Sequence, residues 1–381
     1  MYTKKMFNEA RRAAWMEISL GNINSNYMAI RNLAPDCAVI ACVKGNAYGH
    51  GIEKTAWEFV RSGIEYLGVA TIDEAVTLRS AGIFSKIVLL SPVPCCNPKD
   101  VIDFSLIPVI TTFRDAELLS QEVDRNGSKN VPFFLALETG MGRLGFIPTT
   151  ESFQEIMAIT SLPGISLLGV YSHFATADSS DISFAEHQLE VFNIYESHLR
   201  EAGVDTGLRS MANSAAIISL PGSHLDIIRP GIALYGIYPS EAIDKSIIHL
   251  EPAMSIKSHL VYIKNVPAGT PISYGSKFVT ERESLIATLP IGYADGLPRN
   301  NKGKARILVR GQYAPIVGTV CMDLCMADIT DIQGVADYDE AVILGEQDGK
   351  TITAEEIAAY SDTNTYEVLC RFGQRLPRKY I

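Results

Sequence analysis

Between residues 37 and 236, short and nearly uninterrupted apolar runs alternate with segments of helical periodicity. The runs are AVIACVK (38–44), YLGVA (66–70), KIVLLS (86–91), IPVIT (107–111), PFFLALE (132–138), ISLLGVYS (165–172), GLRSMAN (207–213) and IIRPGIALYG (227–236). A strand that is apolar on both faces is covered on both sides, as parallel strands flanked by helices are. In the segments between, Leu189, Phe192, Tyr195 and Leu199 fall on one helical face. Ser183 and Glu186 ahead of them read as a capping box, and Gly203 stands where that helix should stop. Ile52 to Ser62 before Gly63, and Asp73 to Ala81 before Gly82, repeat the scheme at shorter length. Eight such alternations predict an α/β fold, a (β/α)8 TIM-type barrel, with a doubly wound sheet as the other architecture.

Past residue 250 the texture changes. MSIKSHLVYIKNV, SLIATLPIGY, KARILVR, APIVGTVCMDL and EAVILGE are alternating or β-branched runs divided by Gly, Pro and Asn, and only TAEEIAAYS (353–361) reads as a helix. The division is therefore a barrel over residues 1–250 and a mostly β C-terminal domain over residues 251–381. A chain of 381 residues suits two domains of this size.

Composition narrows the function. Apolar residues make up 47% of the chain, which excludes a disordered protein. A net charge of −10, without a cluster of Lys and Arg, excludes nucleic acid as a natural partner and favours small metabolites. The N-terminal MYTKKMFNEARRAAWMEISL is basic but contains Glu9 and lacks the apolar centre of a signal peptide. No apolar run approaches the roughly 20 residues of a membrane span. The seven cysteines are scattered and odd in number, which points to reduced thiols and a cytoplasmic location. Cys321 and Cys325 lack the partners of a zinc set, so no metal is expected.

Functional side chains of such a barrel gather just past the C-terminal ends of its strands. Lys44 ends the first run in VKGNAYGHG, Glu138 to Arg143 follow the fifth in ETGMGRLGF, and His173 ends the sixth in YSHFATAD. Asn213 and Ser214 end the seventh, and Arg229 leads into Pro230 and Gly231 in the eighth. A lysine desolvated at a strand end is favoured as the neutral amine, the form that attacks an aldehyde. Position alone favours the plainer reading, a lysine reaching solvent at the barrel rim. The Gly-rich Gly45–Gly51 stretch and the RPG turn could cradle a phosphate or be ordinary turns.

Taken in order, VKGNAYGHG, ETGMGRLGF, SHFATAD, MANSAA, IIRPGIALYG, ISYGS, LPIGYADG, VGTVCMD and LCRFGQRLPRKY resemble the motif series of alanine racemases, and they span essentially the whole chain. The resemblance implies a homodimer in which the barrel of one subunit meets the β domain of the other. It implies pyridoxal 5′-phosphate (PLP) held as a Schiff base on Lys44. Lys44 would serve one face of the substrate α-carbon, taking the proton of the D-isomer. Tyr274 of ISYGS, from the partner subunit, would serve the other and take that of the L-isomer. A phenol is protonated near neutral pH, so Tyr274 needs cationic neighbours, and His173 and Arg229 match that network. Arg229 would also face the PLP ring nitrogen.

By the same resemblance, Tyr48, Ser214, the backbone of Gly231 and Ile232, and Tyr366 would meet the phosphate, with Asn213 in support. Arg143 would hold the PLP phenolic oxygen and the substrate carboxylate. Met322 and Asp323 would line the substrate end, and Tyr293 would sit toward the entrance. Asn213 also reads as a strand-end cap, and Met322 as a packing residue. One departure stands out: many members carry a carbamylated Lys seven residues before the Arg of GMGR, where this chain has Ala136. Arg143 must then be oriented by a bound chloride, by water or by Glu138. Gly45 replaces an alanine commoner in the family.

The resemblance implies L-alanine and D-alanine as substrates and D-alanine for peptidoglycan as the usual purpose. Serine or another amino acid as main substrate is the alternative. Tyr366, matching an aromatic that narrows the pocket, favours the methyl side chain. A PLP decarboxylase of the same fold would lack Tyr274 and carry an acidic partner in place of Arg229. A PLP-binding protein without turnover would lack the β domain.

Overall fold

The computed structural model describes residues 12–92, 97–127, 130–301, 303–373 and 375–381. The first residues of the basic N-terminal segment, and the pair Cys95 and Cys96, lie outside the described residues. The chain divides into two compact units. One contains Ile23–Ala47 and Gly51–Glu251; the other joins residues up to Asn22 with Tyr48–His50 and Pro252–Ile381.

The first strand, β1 (Ala14–Ile18), belongs to the second unit. The first unit carries eight parallel strands: β2 (Ala38–Cys42), β3 (Tyr66–Val69), β4 (Lys86–Pro92), β5 (Leu106–Ile110), β6 (Val131–Ala136), β7 (Ile165–Tyr171), β8 (Leu208–Ser210) and β9 (Ile227–Ile228). They follow one another in sequence around the sheet, and β9 returns to pair with β2 through Ala38 and Ile227. The ring closes between β8 and β9, where Asp226 N–H meets the Arg209 carbonyl at 3.1 Å and Arg229 N–H meets that of Ala212 at 2.9 Å. Ile40, Tyr66, Val88, Ile107, Val109, Phe134, Ala136, Tyr171 and Ile227 fill its interior as one buried cluster. This is the packed centre of a TIM-type barrel.

Two local expectations are corrected. The eighth run is a strand only over Ile227–Ile228; Ile232–Tyr235 is a 3₁₀ turn, because Pro230 has no N–H to continue the ladder. Ser183 is the first residue of the helix Ser183–Glu201 rather than its cap, and no side chain caps the preceding Ile182. Asp181 does the related work, accepting the Ser183 N–H at 2.9 Å. The rest of that helix is as expected: Phe192, Tyr195 and Leu199 are buried, and Gly203 follows with φ +89°.

The second unit is mostly antiparallel β. Its strands are β10 (Met254–His259), β11 (Tyr262–Val266), β12 (Pro271–Ile272), β13 (Phe278–Val279), β14 (Ser284–Leu289), β15 (Arg306–Val309), β16 (Gln312–Val317), β17 (Cys325–Asp328), β18 (Glu340–Gln347), β19 (Lys350–Ile352) and β20 (Arg378–Tyr380). The main sheet runs β11-β14-β17-β16-β15-β18-β10-β1-β20, with β19 on β18. β1 pairs antiparallel with β10 and parallel with β20, so Ala14–Ile18 and Arg378–Tyr380 share one sheet. Besides the expected helix, Ala354–Ser361, a second one, Thr365–Arg371, is capped by the Asn364 side chain. No helix among the described residues is long and apolar enough to cross a membrane.

Candidate active site

Lys44 stands just beyond β2, after Val43 has closed the ladder with an N–H to the Gly68 carbonyl at 2.8 Å. The four residues that follow, Gly45, Asn46, Ala47 and Tyr48, all lie in the left-handed region, with φ of 65°, 54°, 55° and 51°. Each non-glycine residue there costs roughly 1–2 kcal/mol, so the turn persists only because other bonds hold it. Asn46 Oδ1 accepts the Ile52 N–H at 2.8 Å, and the Asn46 carbonyl accepts that of Gly51 at 2.9 Å. Glu74 Oε1 accepts the Gly45 N–H at 2.6 Å. Gly45, the departure noted in the sequence, occupies a conformation natural to glycine.

At the C-terminal ends of β7, β8 and β9 the structure assembles a second group. Arg229 is only 5% exposed, and its guanidinium donates to the Ser172 carbonyl at 2.5 Å and to Ser210 Oγ. Its Nη2 also lies 3.4 Å from His173 Nδ1, and its carbon sits 4.8 Å over the Tyr171 ring. Burial pushes the His173 pKa down to about 3, helped by the positive charges of Arg229, Arg143 and Lys44. Lys44, Arg143, Arg229 and His173 therefore share one electrostatic environment. Burial likewise raises the Cys42 thiol, while Lys44 and Arg229 pull it the other way.

Beside this group Ser214 opens the helix Ser214–Ser219, with its Oγ receiving the N–H of Gly231 at 2.8 Å and of Ala233 at 3.3 Å. Ile232 lies between those two donors. The Ser214 oxygen accepts from both, which leaves its own hydroxyl proton to donate. Asn213 caps the same helix, its Oδ1 accepting the Ala216 N–H at 3.0 Å.

The GMGR loop is held by Glu138. Its carboxylate accepts the N–H of Gly140 at 2.5 Å and of Arg143 at 3.1 Å. Burial alone would raise the Glu138 pKa, but N–H groups of Gly140, Gly142, Arg143 and Met141 outweigh it and hold it below the ordinary carboxylate value. Ala136, Glu138, Arg143, Tyr171 and His173 line one small cavity. Glu138, one of the three candidates for orienting Arg143, grips the backbone of the loop that carries it.

The second unit carries the remaining expected residues. Tyr48 and Tyr366 bring their ring centroids within 6.2 Å. Tyr274, Met322 and Tyr293 are 70%, 52% and 41% exposed. They sit on neighbouring loops: Thr319 Oγ1 donates to the Tyr274 carbonyl at 3.0 Å, and the N–H groups of Tyr293 and Ala294 reach the carbonyls of Cys321 and Met322, each at 3.0 Å. Gly292 permits this approach, since a Cβ there would lie 2.3 Å from the Met322 carbonyl oxygen. Asp323 pairs with Arg375 at 2.6 Å. Behind these loops Asp295 is fully buried and held by Arg12 at 2.6 Å and Arg375 at 3.4 Å. Cys325 is buried, which pushes its pKa up to about 12. Among the described residues no group of three His, Cys, Asp or Glu is placed to hold a metal ion.

Glu74, Ser210 and Asp295 were not singled out by the sequence. Only Glu74 carried a signal, as the fourth residue of a Thr71-x-x-Glu74 capping pattern.

Comparison with known proteins identifies the assembly. The chain matches the alanine racemase N-terminal domain over residues 18–239 and the alanine racemase C-terminal domain over residues 253–380. It is 43% identical to alanine racemase 1 of Clostridium acetobutylicum, over 97% of this chain and 96% of that one. It is also 43% identical to alanine racemase 2 of Caldanaerobacter subterraneus, over 99% and 96%. Among solved structures, alanine racemase of Clostridium difficile 630 superposes with a TM-score of 0.93 at 35% identity, covering 98% of this chain and 97% of that one. The chain belongs to the alanine racemase family of PLP-dependent amino-acid isomerases.

Proposed function

We propose that this racemase interconverts L-alanine and D-alanine with two opposed bases, Lys44 of one subunit and Tyr274 of its partner in a homodimer. The observation that carries the reading is the Arg229–His173 pair, set in one electrostatic environment with Lys44 and Arg143. The donor set suits PLP: an amine for its aldehyde, the Ser214 hydroxyl with the Gly231 and Ile232 backbone for its phosphate, and a buried cation for its ring nitrogen. Tyr48 and Tyr366, as the family resemblance implies, would meet that phosphate, and Asn213 caps the helix that presents Ser214. When bound, the cofactor would draw electrons from the substrate Cα–H bond and so acidify it.

Everything else falls to this chain's side chains. Arg143 holds the substrate carboxylate, fixing which face of the α-carbon each base meets. Lys44 Nζ takes the proton of the D-isomer and returns one to make it. The Tyr274 phenolic oxygen does the same for the L-isomer. His173, neutral with its free proton on Nε2, presents a donor to that oxygen, and Arg229 behind it supplies fixed positive charge. Arg229 keeps its own proton, so it polarises without transferring. Met322, Asp323 and Tyr293 close the substrate end from the partner's β unit. The exposure of Tyr274 supports the dimeric arrangement, because an aromatic and a methionine on one open face suit a covering surface. The cytoplasm is the proposed location.

The test is α-proton exchange in deuterated water with L-alanine and L-serine offered separately, read by NMR and by chiral chromatography. Exchange with inversion, faster on alanine and absent in Lys44→Ala, is the expected result. Faster turnover of serine would overturn the substrate, and exchange without inversion would remove Tyr274 from its role.

A further inference from the structure

The left-handed turn after Lys44 is clamped from a distance of 29 residues. Glu74 is the third residue of the helix Ile72–Ser80, whose N-cap Thr71 accepts the Glu74 N–H. A carboxylate in that position ordinarily folds back to the N-cap's own N–H. Here it points elsewhere. Oε2 accepts the Ala70 N–H at 2.8 Å, at the end of β3, while Oε1 accepts the N–H of Gly45 at 2.6 Å and lies 3.4 Å from that of Asn46. One side chain therefore ties the end of β3 to the first two residues after Lys44.

We propose that Glu74 is a positioning residue for Lys44, setting the direction of its amine by clamping the backbone that follows it. The inference rests on the reading of Lys44 as the base for the D-isomer. On the near side, Val43 is anchored to Gly68 by the strand ladder at 2.8 Å. On the far side, the Gly45 N–H is anchored to Glu74. A third bond spans the turn itself, the Ala47 N–H on the Val43 carbonyl at 2.7 Å, so Lys44 changes its backbone direction only when these anchors open. Asn46 secures only the exit of the turn, through Ile52 and Gly51. Without Glu74, a sequence with three non-glycine residues in the left-handed region has reason to relax toward ordinary right-handed geometry. The clamp needs two acceptor oxygens on a side chain of this length. Glutamine would turn an NH₂ group toward one set of N–H donors, and aspartate is one methylene short.

Three variants of the holoenzyme test this: Glu74→Gln, Glu74→Asp, and Thr71→Ala, which weakens the same helix cap without touching the turn. Amide hydrogen exchange over residues 43–51 reads the clamp directly, and should rise about tenfold in Glu74→Gln but not in Thr71→Ala. Racemisation in Glu74→Gln should fall about 10- to 100-fold in kcat with little change in KM, since a misaimed base loses rate more than binding. Glu74→Asp should fall between Glu74→Gln and the wild type.

Isotope effects with the two α-deuterated enantiomers separate positioning from general weakening. Slowing the Lys44 proton transfer should enlarge the effect on D-alanine and shrink that on L-alanine. A general loss of structure lowers both rates and leaves both effects unchanged, which would overturn the proposal. So would unaltered exchange in Glu74→Gln. Failure of the underlying reading looks different: Lys44→Ala would still racemise, whatever Glu74 does.

Discussion

Arg229 presents a guanidinium N–H to Nδ1 of His173 at 3.4 Å. An arginine can only donate, so the imidazole must accept there and carry its proton on Nε2. The depressed pKa of His173 then has a consequence for stability. Between about 3 and the ordinary 6.5 the unfolded chain binds a proton that the folded chain refuses. Stability should therefore rise with pH across that window and gain nothing further from this group above it. Urea unfolding at pH 4.5, 5.5, 6.5 and 7.5 should show this slope reduced in His173→Gln. An unchanged slope would show that His173 is protonated in the folded protein.

Glu138 behaves in the opposite chemical sense. Its folded pKa lies below the ordinary 4.5, so the stability it contributes is present above that value and is lost as the pH falls through the lowered one. Glu138→Gln should accordingly flatten part of the acid-side loss. In assays, Glu138→Ala should raise KM for alanine by about tenfold, more than it lowers kcat, because it frees the loop that carries Arg143, the residue proposed to hold the substrate carboxylate.

Ala136 cannot carry a carbamate, and the GMGR loop has its own anchor in Glu138. Racemase activity in buffer stripped of carbon dioxide should equal activity with added bicarbonate. A clear stimulation would show that another group depends on carbamylation.

Tyr274 is 70% exposed, so Tyr274→Phe should change stability by no more than about 0.5 kcal/mol. Racemisation should drop about 10²- to 10⁴-fold, the usual loss for a missing proton-transfer group. If each site joins Lys44 of one subunit to Tyr274 of another, mixing Lys44→Ala with Tyr274→Phe restores activity. Random reassortment gives half the dimers one intact site, about a quarter of wild-type activity. Two mixed variants that stay inactive after reassortment would place both bases in one chain.

Asp295 is fully buried between Arg12 and Arg375, and its Oδ2 accepts the Gly292 N–H at 3.0 Å. Asp295→Ala should cost about 2–4 kcal/mol, seen as a lowered Tm, because it orphans a buried N–H and removes the buried anion that Arg12 and Arg375 share. Tyr293 and Asp323 depend on the same loops, so KM for alanine should rise as well.

The apolar runs by themselves predicted eight buried strands, a barrel with a doubly wound sheet as the other architecture, and the placement of Lys44, His173, Ser214 and Arg229 at strand ends. That was possible because a strand buried on both faces must be apolar throughout, so a polar residue at its C-terminal end is conspicuous. Motif order determined the family. Elsewhere local patterns fell short: Asp181 replaced Ser183 at a helix start, and a seven-residue helix after Asn364 was too short to show a period. Only the tertiary structure decided that β1 pairs with β10 and β20, that Asp295 gathers two arginines, and that Glu74 serves the turn after Lys44 rather than its own helix cap. The physical reason is common to all three. Periodicity records which face of an element is dry, whereas a buried carboxylate or an unpaired strand edge takes whatever donors the folded chain brings within about 3 Å, however distant in sequence.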